Sequence, residues 1–251
     1  MNKNKFIFPK YILLILMIGL LLGTLIGKSI YNNSEDDVDD TLYYGLNETL
    51  YGKANILAVD NNFNGVIGKV NVKIISGNGD ILINTNPFLE PNTQYSAVIA
   101  SQVASNITKI DLSNSDIIID YEIGEAQVVG GPSSGLSLTL SMISALKGKP
   151  LKNIGYTGEI LPNGDISEVG GIFEKAEATA NNNLTMFLIP SRQSIFYYYE
   201  PIETKKNVNG VIYINTKYVL KQINLTKYFD EEYNLKIVEI KNVQEAMEYA
   251  F

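Results

Sequence analysis

Residues 130–135 read GGPSSG, and the helix predicted after them decides how the rest of the chain is interpreted. Apolar residues follow at helical spacing as far as Gly148, and they are Leu136, Leu140 and Ile143. Pro132 has a φ angle preset for a first helical turn, so Ser133 lies where backbone N–H groups and the helix dipole favour negative charge. A serine at this position is usually only a helix cap, so this stretch alone indicates no more than a candidate nucleophile.

A second stretch places a lysine in apolar surroundings. Residues 156–175 read YTGEILPNGDISEVGGIFEK and end on Lys175. The start of the predicted helix around it is apolar and rich in alanine, with Ile172, Phe173, Ala176, Ala178 and Ala180. Burial lowers the pKa of a lysine, which can then act as a base near neutral pH. The alternative from spacing alone is a solvated helix lysine beside Glu174 or Glu177.

The composition excludes several kinds of site. The chain has no His, no Cys and no Trp, so its own residues cannot form a Ser-His-Asp triad, a Cys nucleophile, a disulfide or a His/Cys zinc site. A single Arg and a net charge of −7 give no Arg-rich surface, so nucleic acid is not expected as a partner. No phosphate-binding G-x-x-x-x-G-K-[ST] motif occurs, and neither a cofactor nor a metal is expected.

The N-terminal residues predict a membrane anchor. Tyr11 to Gly27 form an uncharged run of 17 residues, about 25 Å of helix, and snorkelling lysines at its ends extend it toward the ~30 Å hydrocarbon core. No A-x-A-like pair of small residues follows, which favours an uncleaved anchor over a cleaved signal peptide. Lysines precede the run and acidic residues follow it, so the positive-inside rule leaves the N-terminus cytoplasmic and the remainder outside.

Four segments are therefore expected along the chain. Residues 1–10 form a basic cytoplasmic N-terminus, 11–28 a transmembrane signal anchor, and 29–41 an acidic spacer. Residues 42–251 contain no linker-like stretch or internal repeat, which indicates one domain of mixed α/β (α+β) class.

Strands and helices alternate within the predicted domain. The first two strands are predicted to pair as a hairpin through the turn-rich segment Gly77–Asp80. The strand candidates are Val70–Ser76, Ile81–Asn84, Asp116–Ile123, Ile154–Ile160, Met186–Ile189, Val211–Ile214 and Lys236–Ile240. Besides those around the two stretches above, the helix candidates are Asn92–Ile107 and Asn242–Ala250, the latter with Asn242 as its N-cap.

Three ordered blocks of the sequence resemble the proteolytic domain of the Lon proteases. The family motif Asp-Gly-Pro-Ser-Ala-Gly is similar to Gly130–Gly135, which places the family's nucleophile on Ser133. The family's Thr-Gly-Glu block falls on Thr157–Glu159, and its Gly-Gly-Leu-x-Glu-Lys block, which ends on the catalytic base, falls on Gly170–Lys175. The resemblance covers nearly all of residues 52–251.

The resemblance implies a role for each matching residue. Ser133 would attack the peptide carbonyl, and Lys175 would take the proton from Ser133 and return it to the leaving amine. Thr157 would orient the Lys175 ammonium, and backbone N–H groups of Gly131, Ser133 and Ser134 would hold the oxyanion. The resemblance also implies the Lon proteolytic-domain fold, polypeptide substrates and ring-shaped homo-oligomers, commonly hexamers.

The chain departs from the family pattern in two places. The Asp of the nucleophile motif is replaced by Gly130, which removes a carboxylate near the dyad. The chain also carries no ATPase domain, so we expect proteolysis independent of ATP.

The function expected from the sequence is that of a membrane-anchored, ATP-independent serine endopeptidase. It would cleave unfolded or loosely folded polypeptides outside the cytoplasm and contact lipid through its N-terminal helix. One alternative is a non-catalytic scaffold on the same fold, against which the presence of Ser133, Lys175 and Thr157 argues. Another is a protease that mainly cuts its own spacer near Asp36–Leu42. The run Tyr197–Tyr199 is interpreted as strand or interface packing rather than groove lining.

Overall fold

A computed structural model describes residues 48–124 and 128–251 of the chain. The segments predicted at 1–10, 11–28 and 29–41 lie outside the described residues, as does the start of the predicted domain at 42–47. Within the described ranges, no helix combines the length and the apolar character needed to cross a membrane.

The described residues form a mixed α/β fold. The strands are β1 (Leu50–Val59), β2 (Gly65–Ser76), β3 (Ile81–Ile83), β4 (Phe88–Leu89), β5 (Ser115–Glu122), β6 (Val128–Val129), β7 (Gly155–Tyr156), β8 (Glu159–Ile160), β9 (Ile166–Ser167), β10 (Met186–Pro190), β11 (Ile195–Val208), β12 (Val211–Asn224) and β13 (Lys236–Ile240). The helices are α1 (Pro91–Thr108), α2 (Gly135–Lys147), α3 (Ile172–Asn181), α4 (Leu225–Tyr233) and α5 (Val243–Ala250). A 3₁₀ turn at Pro132–Ser134 precedes α2.

The largest sheet has the strand order β1-β2-β5-β3 and supports the main core. Its strands β2 and β5 alternate buried and more exposed residues, as expected for a sheet covered on one face. The buried members in these two strands are Val70, Val72, Ile74, Ile117, Ile119 and Tyr121. Helices α1 and α2 pack together beside this sheet.

The predicted hairpin between Val70–Ser76 and Ile81–Asn84 is wrong. Strand β3 does not pair with β2; it pairs in parallel with β5, which is itself antiparallel to β2 and lies between them. The intervening loop folds around Asp116 instead of reversing tightly, because the Asp116 carboxylate accepts the backbone N–H groups of Asn78 and Asp80 at 2.7 and 3.1 Å.

Helix α2 is buried from Gly135 to Ala145 because its residues are apolar or small on every side. Its polar side chains each donate to a backbone carbonyl group, and they are Ser137, Thr139, Ser141 and Ser144. Gly52 of β1 allows the close approach of this helix, since a Cβ atom there would overlap the Ser141 carbonyl. The helix ends as predicted at Gly148, which adopts a left-handed conformation with φ of 59°.

A second sheet of three parallel strands, β13-β10-β7, carries helix α4, and helix α3 packs against β1 and β2 as well as β10. These elements share a separate hydrophobic cluster. Strand β13 has the predicted bounds, and β10 extends the predicted strand by one residue to Pro190. The predicted strand Ile154–Ile160 is broken into β7 and β8, with Thr157 and Gly158 between them. The Thr157 N–H still donates to the Leu188 carbonyl of β10 at 3.1 Å, whereas the Gly158 N–H donates to the Ser133 carbonyl. Helix α5 begins as predicted, with the Asn242 side chain accepting the Glu245 N–H at 2.9 Å.

Strands β11 and β12 form a long two-stranded hairpin. The predictions covered Val211–Ile214 and the run Tyr197–Tyr199, which was interpreted as strand or interface packing. The ladder is longer and pairs residues from Ile195↔Asn224 to Val208↔Val211. Asn209 and Gly210 make the turn with φ of 52° and 83°, a two-residue connection that matches the twist of the strands. Strand β1, a ten-residue strand, has no counterpart among the predictions.

Candidate active site

The turn that carries Ser133 is held by the connection between β7 and β8. The Ser133 carbonyl oxygen accepts the Gly158 N–H at 3.0 Å and the Thr157 hydroxyl at 3.3 Å. In return, the Leu136 N–H in the first turn of α2 donates to the Gly158 carbonyl at 3.0 Å. Gly131 precedes the turn with φ of 83°, a conformation that glycine adopts without strain. The backbone of Ser133 is therefore joined to Thr157 and Gly158 by two hydrogen bonds, and a third joins Leu136 to Gly158.

Lys175 lies in the first half of α3 and is only 3% exposed. Its Nζ atom donates to the Thr157 hydroxyl at 3.2 Å, and Thr157 is itself fully buried. The alternative of a solvated helix lysine is therefore wrong, because the side chain points into the protein rather than into water. Burial lowers the pKa of Lys175 to about 8, against a smaller opposing effect from the neighbouring charge of Glu174.

The Lys175 ammonium has no carboxylate partner among residues 48–124 and 128–251, where every ion pair involves other lysines. A buried cation usually has an opposite charge within reach, which would keep its pKa high. Here one neutral hydroxyl is the hydrogen-bond partner, so desolvation is not compensated by an ion pair. The lowered pKa follows from this lack of compensation.

Ser133 and Lys175 line one groove with a volume of about 1630 Å³. Besides Lys175, the groove is lined by charged residues from several parts of the chain, and they are Asp60, Glu90, Glu168, Glu174 and Arg192. The Gln193 side chain holds the loop before α3 by accepting the Val169 N–H at 3.0 Å and donating to its carbonyl at 2.7 Å. In the described part of the chain, no group of acidic residues is arranged to hold a metal ion.

The two adjacent serines of the GGPSSG stretch face different surroundings. Ser133 lines the groove, whereas the Ser134 side chain is buried and its Oγ lies 3.1 Å from the Tyr121 hydroxyl. Burial raises the pKa of Tyr121 to about 12, so this phenol stays neutral. Gly131 lies beside the groove-lining residues Gly130 and Ser133, and its carbonyl accepts the Thr93 hydroxyl at 2.9 Å.

Glu90 is a groove residue that the sequence analysis missed. A Cβ atom built at Gly130 would overlap the Glu90 carboxylate, so that carboxylate occupies the space beside position 130. Glu90 lies directly before α1, forty positions away along the chain, and no sequence pattern links it to Gly130. Position 130 therefore lacks the Asp carboxylate of the family motif, but the carboxylate of Glu90 lies beside it.

Residues 20–225 match the Lon protease (S16) C-terminal proteolytic domain. The chain belongs to this family. The Lon protease of Mycoplasma mycoides subsp. mycoides SC is 33% identical over 135 residues, which are 52% of this chain and 17% of that protein. The Lon protease of Clostridioides difficile is 30% identical over 164 residues, 63% of this chain and 21% of that protein. The archaeal Lon protease of Archaeoglobus fulgidus is 27% identical over 144 residues, 55% of this chain and 23% of that protein.

Similarity to these Lon proteases therefore spans about a fifth of their length. The family match over residues 20–225 includes the parts of the fold that bring three of the predicted site residues together. Ser133, Thr157 and Lys175 come from the turn before α2, the β7–β8 connection and α3, and they are connected through the Thr157 hydroxyl. Tyr197 lies in a strand, as predicted, and it also lines the groove, contrary to the interpretation of the tyrosine run.

Proposed function

We propose that this Lon-family chain is a serine endopeptidase in which Ser133 is the nucleophile and Lys175 is the general base. The observation that supports the dyad most strongly is the state of Lys175. It is almost fully buried without an ion pair, it donates to Thr157, and it lines the groove that Ser133 lines. A lysine in these surroundings can supply the neutral amine that a serine nucleophile needs.

The proposed reaction begins with neutral Lys175. With a pKa of about 8, about one lysine in ten is neutral at pH 7 and about half are neutral at pH 8. The Nζ lone pair accepts the hydroxyl proton of Ser133 as Oγ bonds to the scissile carbonyl carbon. The resulting ammonium gives this proton to the departing amine, which leaves an acyl-enzyme on Ser133. Water then attacks the ester, with Lys175 again taking and returning the proton.

Thr157 is proposed to position the base. Its hydroxyl proton is directed to the Ser133 carbonyl, so an oxygen lone pair is free to accept a hydrogen bond from Nζ. One N–H of the amine is thereby held by Thr157, which fixes the orientation of the remaining positions on Nζ. The same hydroxyl joins the backbone of the nucleophile to the side chain of the base. The backbone N–H groups of Gly131, Ser133 and Ser134 are proposed to stabilise the oxyanion.

The proposal also includes the cellular setting and the organisation of the chain. The uncharged run from Tyr11 to Gly27 and the charge change across it support a signal anchor at 11–28 and a spacer at 29–41. They likewise support residues 1–10 in the cytoplasm and a Lon-like domain at 42–251 on the opposite side. The proposed substrates are unfolded or loosely folded polypeptides, and cleavage is proposed to be independent of ATP. We further propose a homo-oligomeric ring, on the family resemblance.

Catalytic variants of the full-length chain, purified in mild detergent, test the proposal with casein as substrate. Ser133→Ala and Lys175→Arg should each reduce cleavage by about 10³-fold or more, and the double variant should be little worse than either alone. Arginine keeps the charge but cannot release its proton, so it cannot replace the base. Thr157→Ala should reduce cleavage less, because Thr157 carries no proton in the reaction. Equal rates with and without ATP and Mg²⁺ are expected.

The matched control is Ser134→Ala, because it removes a hydroxyl one residue away and keeps the backbone N–H. The Ser134 hydroxyl contacts Tyr121 rather than the groove, so this variant should retain most of the activity. Loss of activity in Ser134→Ala together with full activity in Ser133→Ala would show that Ser134, and not Ser133, is the nucleophile. Wild-type protein that cleaves nothing would favour the scaffold alternative. Cleavage confined to the segment near Asp36–Leu42 would favour self-processing.

A further inference from the structure

The β11–β12 hairpin presents an exposed apolar surface that the proposed chemistry does not use. Directly opposed residues of an antiparallel pair lie on the same face, so Tyr199↔Leu220 and Pro201↔Tyr218 share one face of the hairpin. We call this the outer face. Its large apolar side chains are each 55 to 67% exposed, and they are Tyr197, Tyr199, Ile212, Ile214, Tyr218 and Leu220.

The opposite face of the hairpin is anchored to the rest of the protein at its base. Phe196 stacks on Phe173 of α3 with ring centroids 5.2 Å apart, and Tyr198 stacks on Phe196 at 6.4 Å. This packing fixes the position of the hairpin relative to α3, the helix that carries Lys175. The outer face is turned away from these contacts. The outer face alone leaves six large apolar side chains in water, and the opposite face exposes others beyond its base, including Ile202 and Tyr213. Such exposure is unusual for a soluble surface.

The outer face is continuous with the groove of the candidate active site. The first residues of β11 line that groove together with Ser133 and Lys175, and Tyr197 belongs both to the groove and to the outer face. The face extends along strands of 14 residues, which are about 45 Å long at 3.3 Å per residue. A polypeptide that lies in the groove is therefore directed onto this surface.

The chemistry of the outer face fits an extended, apolar polypeptide. The sheet has only two strands, so each strand leaves one edge of backbone N–H and C=O groups unpaired by the other strand. The face carries one acidic and one basic residue along β11, Glu203 and Lys205, so it has little net charge. Unfolded chains expose both apolar side chains and unpaired backbone groups, whereas folded surfaces rarely expose the two together.

We propose that the outer face of the β11–β12 hairpin binds unfolded polypeptide and holds it beside the groove that Ser133 and Lys175 line. This inference rests on the proposed function, because it assigns a docking surface to the same substrates. Binding on the hairpin makes the approach of a second segment to the groove intramolecular, which raises its effective concentration there. Long unfolded chains should therefore bind more tightly because of this surface, whereas peptides too short to reach it should not.

The test uses the full-length chain with Ser133→Ala, so that binding is measured without cleavage. The probe is fluorescein-labelled, reduced and carboxymethylated α-lactalbumin, and the readout is fluorescence anisotropy in mild detergent. Tyr218→Ser should weaken binding about tenfold, and Tyr199→Ser/Tyr218→Ser should weaken it further. The matched control is Tyr213→Ser, which lies on the same strand and is 59% exposed against 66% for Tyr218, but on the opposite face.

Binding in Tyr213→Ser should stay within about twofold of the parent, since only the outer face is proposed to contact the probe. Equal weakening in Tyr213→Ser and Tyr218→Ser, or weakening in neither, would overturn the proposal. Sedimentation of the same variants measures their molar mass. If Tyr218→Ser reduces the molar mass, the outer face is an interface between copies of this chain and the proposal is likewise overturned.

A second measurement separates this inference from the proposed function. In protein that retains Ser133, Tyr218→Ser should leave kcat/KM for a fluorogenic hexapeptide within about twofold and raise KM for the unfolded protein by about tenfold. If the wild-type protein cleaves neither substrate, the proposed protease function fails, while the anisotropy result still decides whether the outer face binds polypeptide. If the hexapeptide is affected as strongly as the protein, Tyr218 acts on the groove and the docking surface is rejected.

Discussion

Replacing Lys175 with methionine should stabilise the fold at neutral pH, because it removes a buried charge and keeps an unbranched side chain that is only one atom shorter. The pKa of Lys175 falls from its usual 10.5 to about 8 through burial. Each pKa unit corresponds to about 1.4 kcal/mol, so keeping this amine protonated in the folded state costs about 3 kcal/mol of stability. Thr157 keeps a partner in the variant, since its hydroxyl still donates to the Ser133 carbonyl.

The stability difference between the two proteins should depend on pH in a defined direction. Below pH 8 Lys175 is protonated in both the folded and the unfolded state, and the full cost applies. Between pH 8 and 10.5 the unfolded state binds more protons than the folded state, so wild-type stability rises with pH. The advantage of Lys175→Met should therefore be about 3 kcal/mol at pH 7 and shrink to about 1 kcal/mol or less near pH 10.

Urea unfolding of the full-length chain, followed by far-ultraviolet circular dichroism at pH 7, 8.5 and 10, measures this difference. Lys236→Met is the matched control, because Lys236 is exposed at the start of β13 and does not contact the groove. We expect the control to follow the wild type within about 0.5 kcal/mol at every pH. A Lys175→Met variant that is less stable than wild type at pH 7, or whose advantage does not change with pH, would refute the reasoning from burial.

Three further predictions concern rate, packing and topology. The pH profile of kcat/KM for casein should rise about tenfold per unit below pH 8 and level above it, because only neutral Lys175 can take the proton; a flat profile between pH 6 and 9 contradicts this. Gly130→Asp should lower stability by about 1 kcal/mol in thermal unfolding by bringing its carboxylate against Glu90, and Glu90→Gln should restore the loss; an unchanged single variant contradicts the assignment. Protease added to intact cells should cut beyond about Asn32, and complete protection would overturn the proposed orientation.

The sequence predicted apolar surroundings for Lys175 from local information, although spacing alone left a solvated helix lysine as an alternative. The apolar residues beside Lys175 lie in the same helix, so their burial implies the burial of the lysine that they flank. The end of α2 at Gly148 and the N-cap at Asn242 were predictable for the same reason, since capping depends on a few consecutive residues.

Features that depend on distant partners were missed. The segment Gly77–Asp80 has the composition of a tight turn, but its backbone N–H groups donate to the Asp116 carboxylate of β5. The segment therefore crosses β5 and connects β2 to β3 on the other side of that strand. The Glu90 carboxylate occupies the space that a side chain at position 130 would fill. The two positions are distant in the sequence, and no periodic pattern predicts that they are neighbours.

The long β11–β12 hairpin was only weakly indicated by the sequence, for a different reason. Strands β11 and β12 bury almost none of their residues, so they lack the alternation of apolar and polar residues that marks a strand on a core. The Asn209-Gly210 pair was the one local indication, because this dipeptide between two strand-like runs is typical of a hairpin. Exposed apolar residues on both strands therefore point to a contact outside the hairpin rather than to a core within it.

The cost of burying Lys175 also distinguishes the protease from the scaffold alternative. A scaffold needs α3 to pack against the second sheet, and a methionine at position 175 would serve that packing without a charge. The described residues instead place an ammonium without a carboxylate partner in this position and leave Thr157 as its hydrogen-bond partner. Such an arrangement lowers stability, and with a pKa of about 8 it supplies the neutral amine that the proposed proton transfer requires. A Lys175→Met variant that is more stable than the wild type but inactive would show that the buried amine lowers stability and is required for activity.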